Sequence, residues 1–179
     1  MADVQGNALW PKRAVFVALC VAVIFVALLP LDTGVPRWAP PDLLLAVCLV
    51  WAARRPDYVP VLSIAFVALL ADLLYQRPPG LHAVLTVLGC EYLKARARML
   101  RDSGFWIEWA TAGAVVIVIT VAYQLTLGLL AVPQPPLALS MMQAVGTIAL
   151  YPAVVAGSHL FLGLRRPAAS DPGGARLGS

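Results

Sequence analysis

Charge is what this chain has least of. Only 12% of its 179 residues are Asp, Glu, Lys or Arg, while 61% are apolar and the mean hydropathy is +0.83. A soluble domain carries about 25% charged residues. This composition therefore excludes a water-soluble globule, and its hydrophobicity excludes an intrinsically disordered chain. Cysteine and histidine are scarce as well. Cys20, Cys48 and Cys90 each lie inside an apolar run, none in a CxxC spacing and none beside a histidine. That excludes a disulfide framework and a zinc site and leaves small, packed hydrophobes. His82 and His159 fall in separate runs, near opposite sides of the membrane, and read as isolated interfacial or packed imidazoles that share no metal. The motifs of membrane enzymes are missing: no HExxH, no GxSxG, no GxGD around Asp72 and no Asp-rich metal motif. The chain is predicted to be no enzyme and to need no cofactor.

Long apolar runs are what it has instead. A hydrocarbon core of about 30 Å takes about 20 helical residues. Six runs, at about 14–31, 40–53, 58–75, 81–94, 106–132 and 137–164, are separated by breaks rich in Pro, Gly and Arg. They predict an all-α, six-span membrane protein, with residues 1–13 as an N-terminal segment and 165–179 as a disordered tail. Pro152 inside the last run predicts a kink there. Runs two and four are short enough to be re-entrant, but the basic residues argue for six full crossings. Eleven of the thirteen, including Lys12, Arg13, Arg54, Arg55, Lys94, Arg96 and Arg98, fall on one side of a six-span topology; only Arg37 and Arg77 fall on the other. Lys and Arg collect on the cytoplasmic side of short loops, so both termini are predicted to be cytoplasmic. The net charge of +4 is then an orientation device, with no nucleic-acid role.

A few polar residues lie inside the runs. Asp72 sits in the third run on a stripe with Ala65 and Ala68, with Ile64, Phe66 and Leu70 off it. Small neighbours imply that another helix packs there and that the acid points into protein, as a partner or binding contact or as a structural acid bonded to a neighbouring helix or to Arg77. Its replacement by Leu removes an insertion cost and is expected to leave the isolated protein no less stable. Asp42 opens the second run after two prolines, where an acid caps free amides; its depth matches that of Asp72, so the two could share a polar cluster with Arg37 or Arg77. Glu91 is spaced to pair with Lys94 and Arg98, and Glu108 opens the fifth run. Trp10, Trp38, Trp51, Trp106 and Trp109 read as interface anchors. Ala149, Ala153 and Gly157 recur every four residues, a small-residue stripe on which two helices can approach closely.

The central stretch resembles a known family. Pro41-Asp42-Leu43-Leu44-Leu45, Trp51-Ala52-Ala53-Arg54-Arg55-Pro56, Phe66 to Asp72 and Pro79-Gly80-Leu81 are similar to the MreD family of rod-shape-determining proteins. Glu91-Tyr92-Leu93-Lys94 and Gly104 to Trp109 look like its alphaproteobacterial branch. The likeness covers about 30–109, and Ala68 stands where the family usually has Gly. The resemblance implies a non-enzymatic subunit of the cell-wall elongation machinery in the bacterial inner membrane. It implies MreC and RodA, with its class B penicillin-binding transpeptidase, as partners, and MreB on the cytoplasmic side. It also implies a fold like the six-helix substrate-binding subunits of energy-coupling-factor transporters. A small-molecule binding or transport subunit on that same fold is the competing reading, with Asp42 and Asp72 furnishing part of a pocket.

The topology is directly testable. Alkaline phosphatase, active only outside the cytoplasm, should be active when fused near Thr33 or Gln134 and inactive near Asp57 or Ser103. Activity at Ser103 would refute the six-span arrangement.

Overall fold

A computed structural model describes residues 2–29, 39–132 and 134–162. Arg37, Trp38 and the tail at 165–179 lie outside the described residues. Six α-helices follow one another: α1 (Ala2–Leu28), α2 (Leu43–Arg54), α3 (Val61–Leu74), α4 (Leu81–Asp102), α5 (Phe105–Leu129) and α6 (Leu137–Leu162). A 3₁₀ turn, Pro56–Tyr58, joins α2 to α3, and no strand occurs among the described residues. Three of the helices are long and apolar enough to cross a membrane, over Leu9–Leu28, Phe105–Leu129 and Leu137–Leu160.

The helix ends follow local chemistry. Asp42 caps α2, its Oδ1 accepting the Leu45 amide at 2.9 Å. Pro56 keeps Arg55 out of the helical region and stops α2 there. Pro60 starts α3, so the third run is a 3₁₀ turn followed by a helix rather than one helix from residue 58. Gly80, at φ 90°, makes the left-handed turn into α4. Two boundaries differ markedly from the sequence reading. Helix α1 begins at Ala2 and runs through Pro11, well before residue 14. Helix α4 does not stop near residue 94 but continues to Asp102. Its basic segment is built from good helix formers, and Leu93, Ala97 and Leu100 carry a buried face through it.

Contacts between ends fix the helix directions. The start of α2, the end of α3 and the start of α4 meet around Asp42, Asp72 and His82. The end of α2 meets the start of α5 where Arg54 pairs with Glu108, and at that end Lys12 of α1 reaches Tyr58. Gln124, late in α5, bonds Ser140 in the first turn of α6. Successive helices therefore alternate in direction.

Helix α2 is the axis of the bundle. Every residue from Leu44 to Arg54 is buried, with α4, α6 and α1 packed around it. Trp51, grouped by sequence with the interface anchors, is buried here against Phe16, ring centroids 5.3 Å apart, because α2 ends inside the bundle. Trp10 and Trp106 are exposed. The three cysteines are free and buried on α1, α2 and α4. On α3 the buried face is Ile64, Val67, Ala68, Ala71 and Asp72, so Ile64 belongs to the packed stripe rather than lying off it. At Gly89, a Cβ would stand 2.8 Å from Val115 Cγ1, which shows how closely α4 and α5 approach.

Helix α6 runs unbroken through Pro152. A proline has no N–H to give the carbonyl four residues earlier, which here belongs to Ile148. Trp109 of α5 fills that vacancy, its indole Nε1 donating to the Ile148 carbonyl at 2.9 Å. Trp109→Phe should therefore destabilise the protein by about 1–3 kcal/mol by stranding that carbonyl. Pro152→Ala, which restores an amide donor, should stabilise the Trp109→Phe protein more than it stabilises the native one. Thermal unfolding of the four proteins of this cycle in detergent checks the coupling, and strict additivity would refute it.

Candidate functional site: two polar clusters at the ends of α2

The first cluster forms around the start of α2. The backbone amide of Asp42 donates to Thr147 Oγ1 of α6 at 2.8 Å, and Thr147 in turn donates to the Gln143 carbonyl. Asp42 Oδ2 lies 3.4 Å from Arg77 Nη1. Asp42 is thus occupied on both oxygens, one by its own helix and one by the guanidinium. Arg77 also stands over the Tyr75 ring, 5.2 Å from its centroid.

Asp72 is fully buried and takes a different partner. Its Oδ2 accepts two backbone amides at the start of α4, Gly80 at 3.1 Å and Ala83 at 3.0 Å. The carboxylate sits in the last turns of α3, where the helix dipole opposes a negative charge. The amino-terminal end of α4 compensates, because its free amides and dipole favour an anion. Asp72 is therefore a cap supplied by one helix to the next across the Pro78-Pro79-Gly80 turn. No ion pair joins its carboxylate to Arg77 among the described residues; the Arg77 amide bonds the Asp72 main-chain carbonyl instead.

His82 links the two carboxylates in space. Its Nε2 lies 3.8 Å from Asp42 Oδ2 and its Nδ1 lies 4.0 Å from Asp72 Oδ1, both beyond hydrogen-bond range. Thr86 Oγ1 is 3.4 Å from Nδ1, and the Tyr123 ring meets the imidazole edge-on at 5.7 Å. Asp72 Oδ1 is left as a buried acceptor with no hydrogen-bond partner. His82 is thus packed, as one sequence reading has it, but between two carboxylates rather than in isolation. A signal for it existed: the tight turn folds α4 back along α3, so residues equidistant from its centre, such as 72 and 83, must face one another. His159 is exposed in the last turn of α6.

The second cluster closes the other end of α2. Arg54 Nε and Glu108 Oε1 are 2.8 Å apart, and both side chains are buried. The Tyr151 hydroxyl donates to the same carboxylate oxygen at 3.1 Å. Sequence places Arg54 among the topology determinants of a loop, yet here it is withdrawn into the bundle, because α2 ends against α5. Glu108 lies in the first turn of α5 as expected and also serves as the acceptor for α2 and α6. Of the other cations, Lys94 pairs with Glu91 at 2.7 Å, Arg55 stands over Tyr58, Arg96 stands over Tyr92, and Arg98 is exposed. On α6, Ala149 and Ala153 are exposed, and nothing lies within 4 Å of a Cβ built at Gly157.

Chemically these clusters hold helices together. No group of three or more His, Cys, Asp or Glu suited to a metal ion occurs among the described residues. Asp72 Oδ1 is a buried acceptor without a hydrogen-bond partner among the described residues, and it could accept a bond from a neutral or cationic donor. No family model, no curated protein and no solved structure matches the chain.

The capping role reverses the stability expectation for Asp72. Leu at this position would strand the buried Ala83 amide and the half-buried Gly80 amide, at about 1–3 kcal/mol each, which outweighs any relief from removing the charge. Asp72→Asn keeps an acceptor oxygen. Thermal unfolding should show Asp72→Leu clearly destabilised and Asp72→Asn close to native; equal stability of the Leu variant would sink the cap assignment.

Proposed function

We propose that the chain is a non-enzymatic, six-span inner-membrane subunit of the MreD type, with both termini cytoplasmic. In this reading it shares the architecture of energy-coupling-factor substrate-binding subunits. It works in cell-wall elongation by binding MreC and RodA with its class B transpeptidase, with MreB filaments on the cytoplasmic side. What carries the reading is where the residues of the resemblance are used. Asp42, Asp72, Gly80, Arg54 and Glu108 form the caps and ion pairs that tie α2, α3, α4 and α5 together. Such a use suits an assembly subunit better than a catalyst. The alternation of helix directions also fits six crossings, with Lys12, Arg13, Arg54 and Arg55 at one end and Asp42, Asp72 and Arg77 at the other.

One observation favours the small-molecule reading: the unpartnered Asp72 Oδ1 beside His82. A tightly held vitamin-like molecule recovered after gentle extraction would select it.

Depletion separates the two. The shape-determining reading expects rod-to-sphere conversion and co-purification with MreC; a transport subunit expects neither. The exposed small stripe of α6 sharpens the test, since close packing of small residues drives helix association in lipid. Ala153→Leu with Gly157→Leu should leave an inserted, folded protein, because both positions face open space, and should abolish MreC co-purification. Undiminished co-purification would move the contact elsewhere.

A further inference from the structure

The start of α4 brings together a buried oxygen that lacks a donor and an imidazole that has too few to give. Asp72 has no exposed surface, and its Oδ1 meets no hydrogen-bond partner among the described residues. His82 Nδ1 faces it at 4.0 Å, while His82 Nε2 faces Asp42 Oδ2 at 3.8 Å. The imidazole thus stands between a carboxylate of α3 and one at the start of α2, each gap about an ångström longer than a charged N–H···O bond. A neutral imidazole carries one N–H and one lone pair. With the hydrogen on Nε2 it serves Asp42, and the Nδ1 lone pair takes the Thr86 hydroxyl, 3.4 Å away. Asp72 Oδ1 then faces a lone pair instead of a donor. The other tautomer serves Asp72 and turns a lone pair on Asp42.

Charge balance points the same way. The ionisable groups gathered at this imidazole, among the described residues, come from every element packed against it. They are Asp42 of α2, Asp72 of α3, Arg77 of the turn after α3, and Tyr123 of α5, whose ring meets the imidazole edge-on. Tyr75 lies against the Arg77 guanidinium. Two carboxylates against one guanidinium leave one negative charge in excess, and a buried charge without compensation is costly. One proton removes that excess and supplies the missing N–H at once. Water can deliver it through His82, whose side chain keeps 16% of its surface exposed while that of Asp72 keeps none.

We propose that Asp42, His82 and Asp72 form a proton-binding site, in which a protonated His82 bonds Asp42 through Nε2 and Asp72 through Nδ1. The proton comes from hydronium in the water at this end of the bundle and adds to the Nδ1 lone pair; water is released, and nothing is oxidised or reduced. Closing the two gaps draws the first turn of α4 onto the start of α2 and the end of α3, so acidification tightens this end of the bundle. A bridging water would satisfy the oxygen but leave the excess charge in place, which is why the proton is the occupant. The site competes with the small-molecule reading for the same oxygen and depends on no part of the MreD reading.

The test uses the full chain, carrying isotope-labelled histidine, in phosphatidylcholine vesicles, and follows the ring nitrogens by solid-state NMR from about pH 8 to about pH 5. The chain has two histidines; the exposed His159 is the internal reference, and His159→Gln assigns the signals. His82 should pass from a neutral ring to an imidazolium with both nitrogens hydrogen-bonded. Asp72→Asn removes the charge and puts an amide N–H where the orphan oxygen stood, so His82 should lose about tenfold or more in proton affinity while His159 is unchanged. Asp42→Asn, which keeps an oxygen to cap α2, should weaken the proton as well and reads the site even if the first variant fails to fold. A His82 ring that stays neutral down to about pH 5, as with a bridging water alone, would overturn the proposal. So would proton affinity unchanged in the Asn variants, or a small molecule retained on Asp72 Oδ1 in place of the proton.

Discussion

The structure depends on a short helix that is enclosed at every residue after its first. Helix α2 has 12 residues, a rise of about 18 Å, and its ends stop inside the bundle. A helix end carries free amides or free carbonyls, and burying them without partners costs several kcal/mol. At the start, Asp42 caps the Leu45 amide and Thr147 of α6 accepts the Asp42 amide, with Arg77 and His82 gathered around the Asp42 carboxylate. At the finish, the Arg55 and Tyr58 amides bond the Trp51 and Arg55 carbonyls, beside the side-chain cluster of Arg54, Glu108 and Tyr151.

These closures also decide which helices meet. Removing one member of a buried ion pair costs about 3–5 kcal/mol because its partner is stranded. Arg54 and Glu108 therefore disfavour any arrangement that separates α2 from α5. Asp72 does the same for α3 and α4 through amides rather than a counter-ion. Helix α6 joins both clusters within little more than one turn, Thr147 bonding the start of α2 and Tyr151 bonding Glu108 of α5. Between them Ile148 takes the Trp109 indole. Pro152 is thus less a break in α6 than the reason α5 is latched to it.

The consequence for function is a division of labour between inside and outside. The carboxylates inside the bundle are spent on architecture, apart from the single oxygen of Asp72 that faces His82. What the molecule offers to others is its surface. On α6, Ala149 and Ala153 are exposed and open space surrounds a Cβ built at Gly157.

Much of this was written locally in the chain. Scarce charge and long apolar runs determined an apolar, all-helical protein. Pro40-Pro41-Asp42, Pro56 and Pro78-Pro79-Gly80 set helix limits by backbone rules that act within a few residues. The depth of Asp42 and Asp72 followed from counting along their helices. Lateral neighbours could not be read this way. Helix α2 is apolar on every side, so its pattern names no face, and only packing put Trp51 against Phe16 rather than at an interface. Arg54 and Glu108 stand 54 residues apart. Nothing local distinguishes Arg54 from Arg55, yet the angle at which α2 meets α5 buries the first against Glu108 and turns the second toward Tyr58. Helix periodicity reports how deep a residue lies and which way it points, while the identity of what it meets is set by how the helices cross.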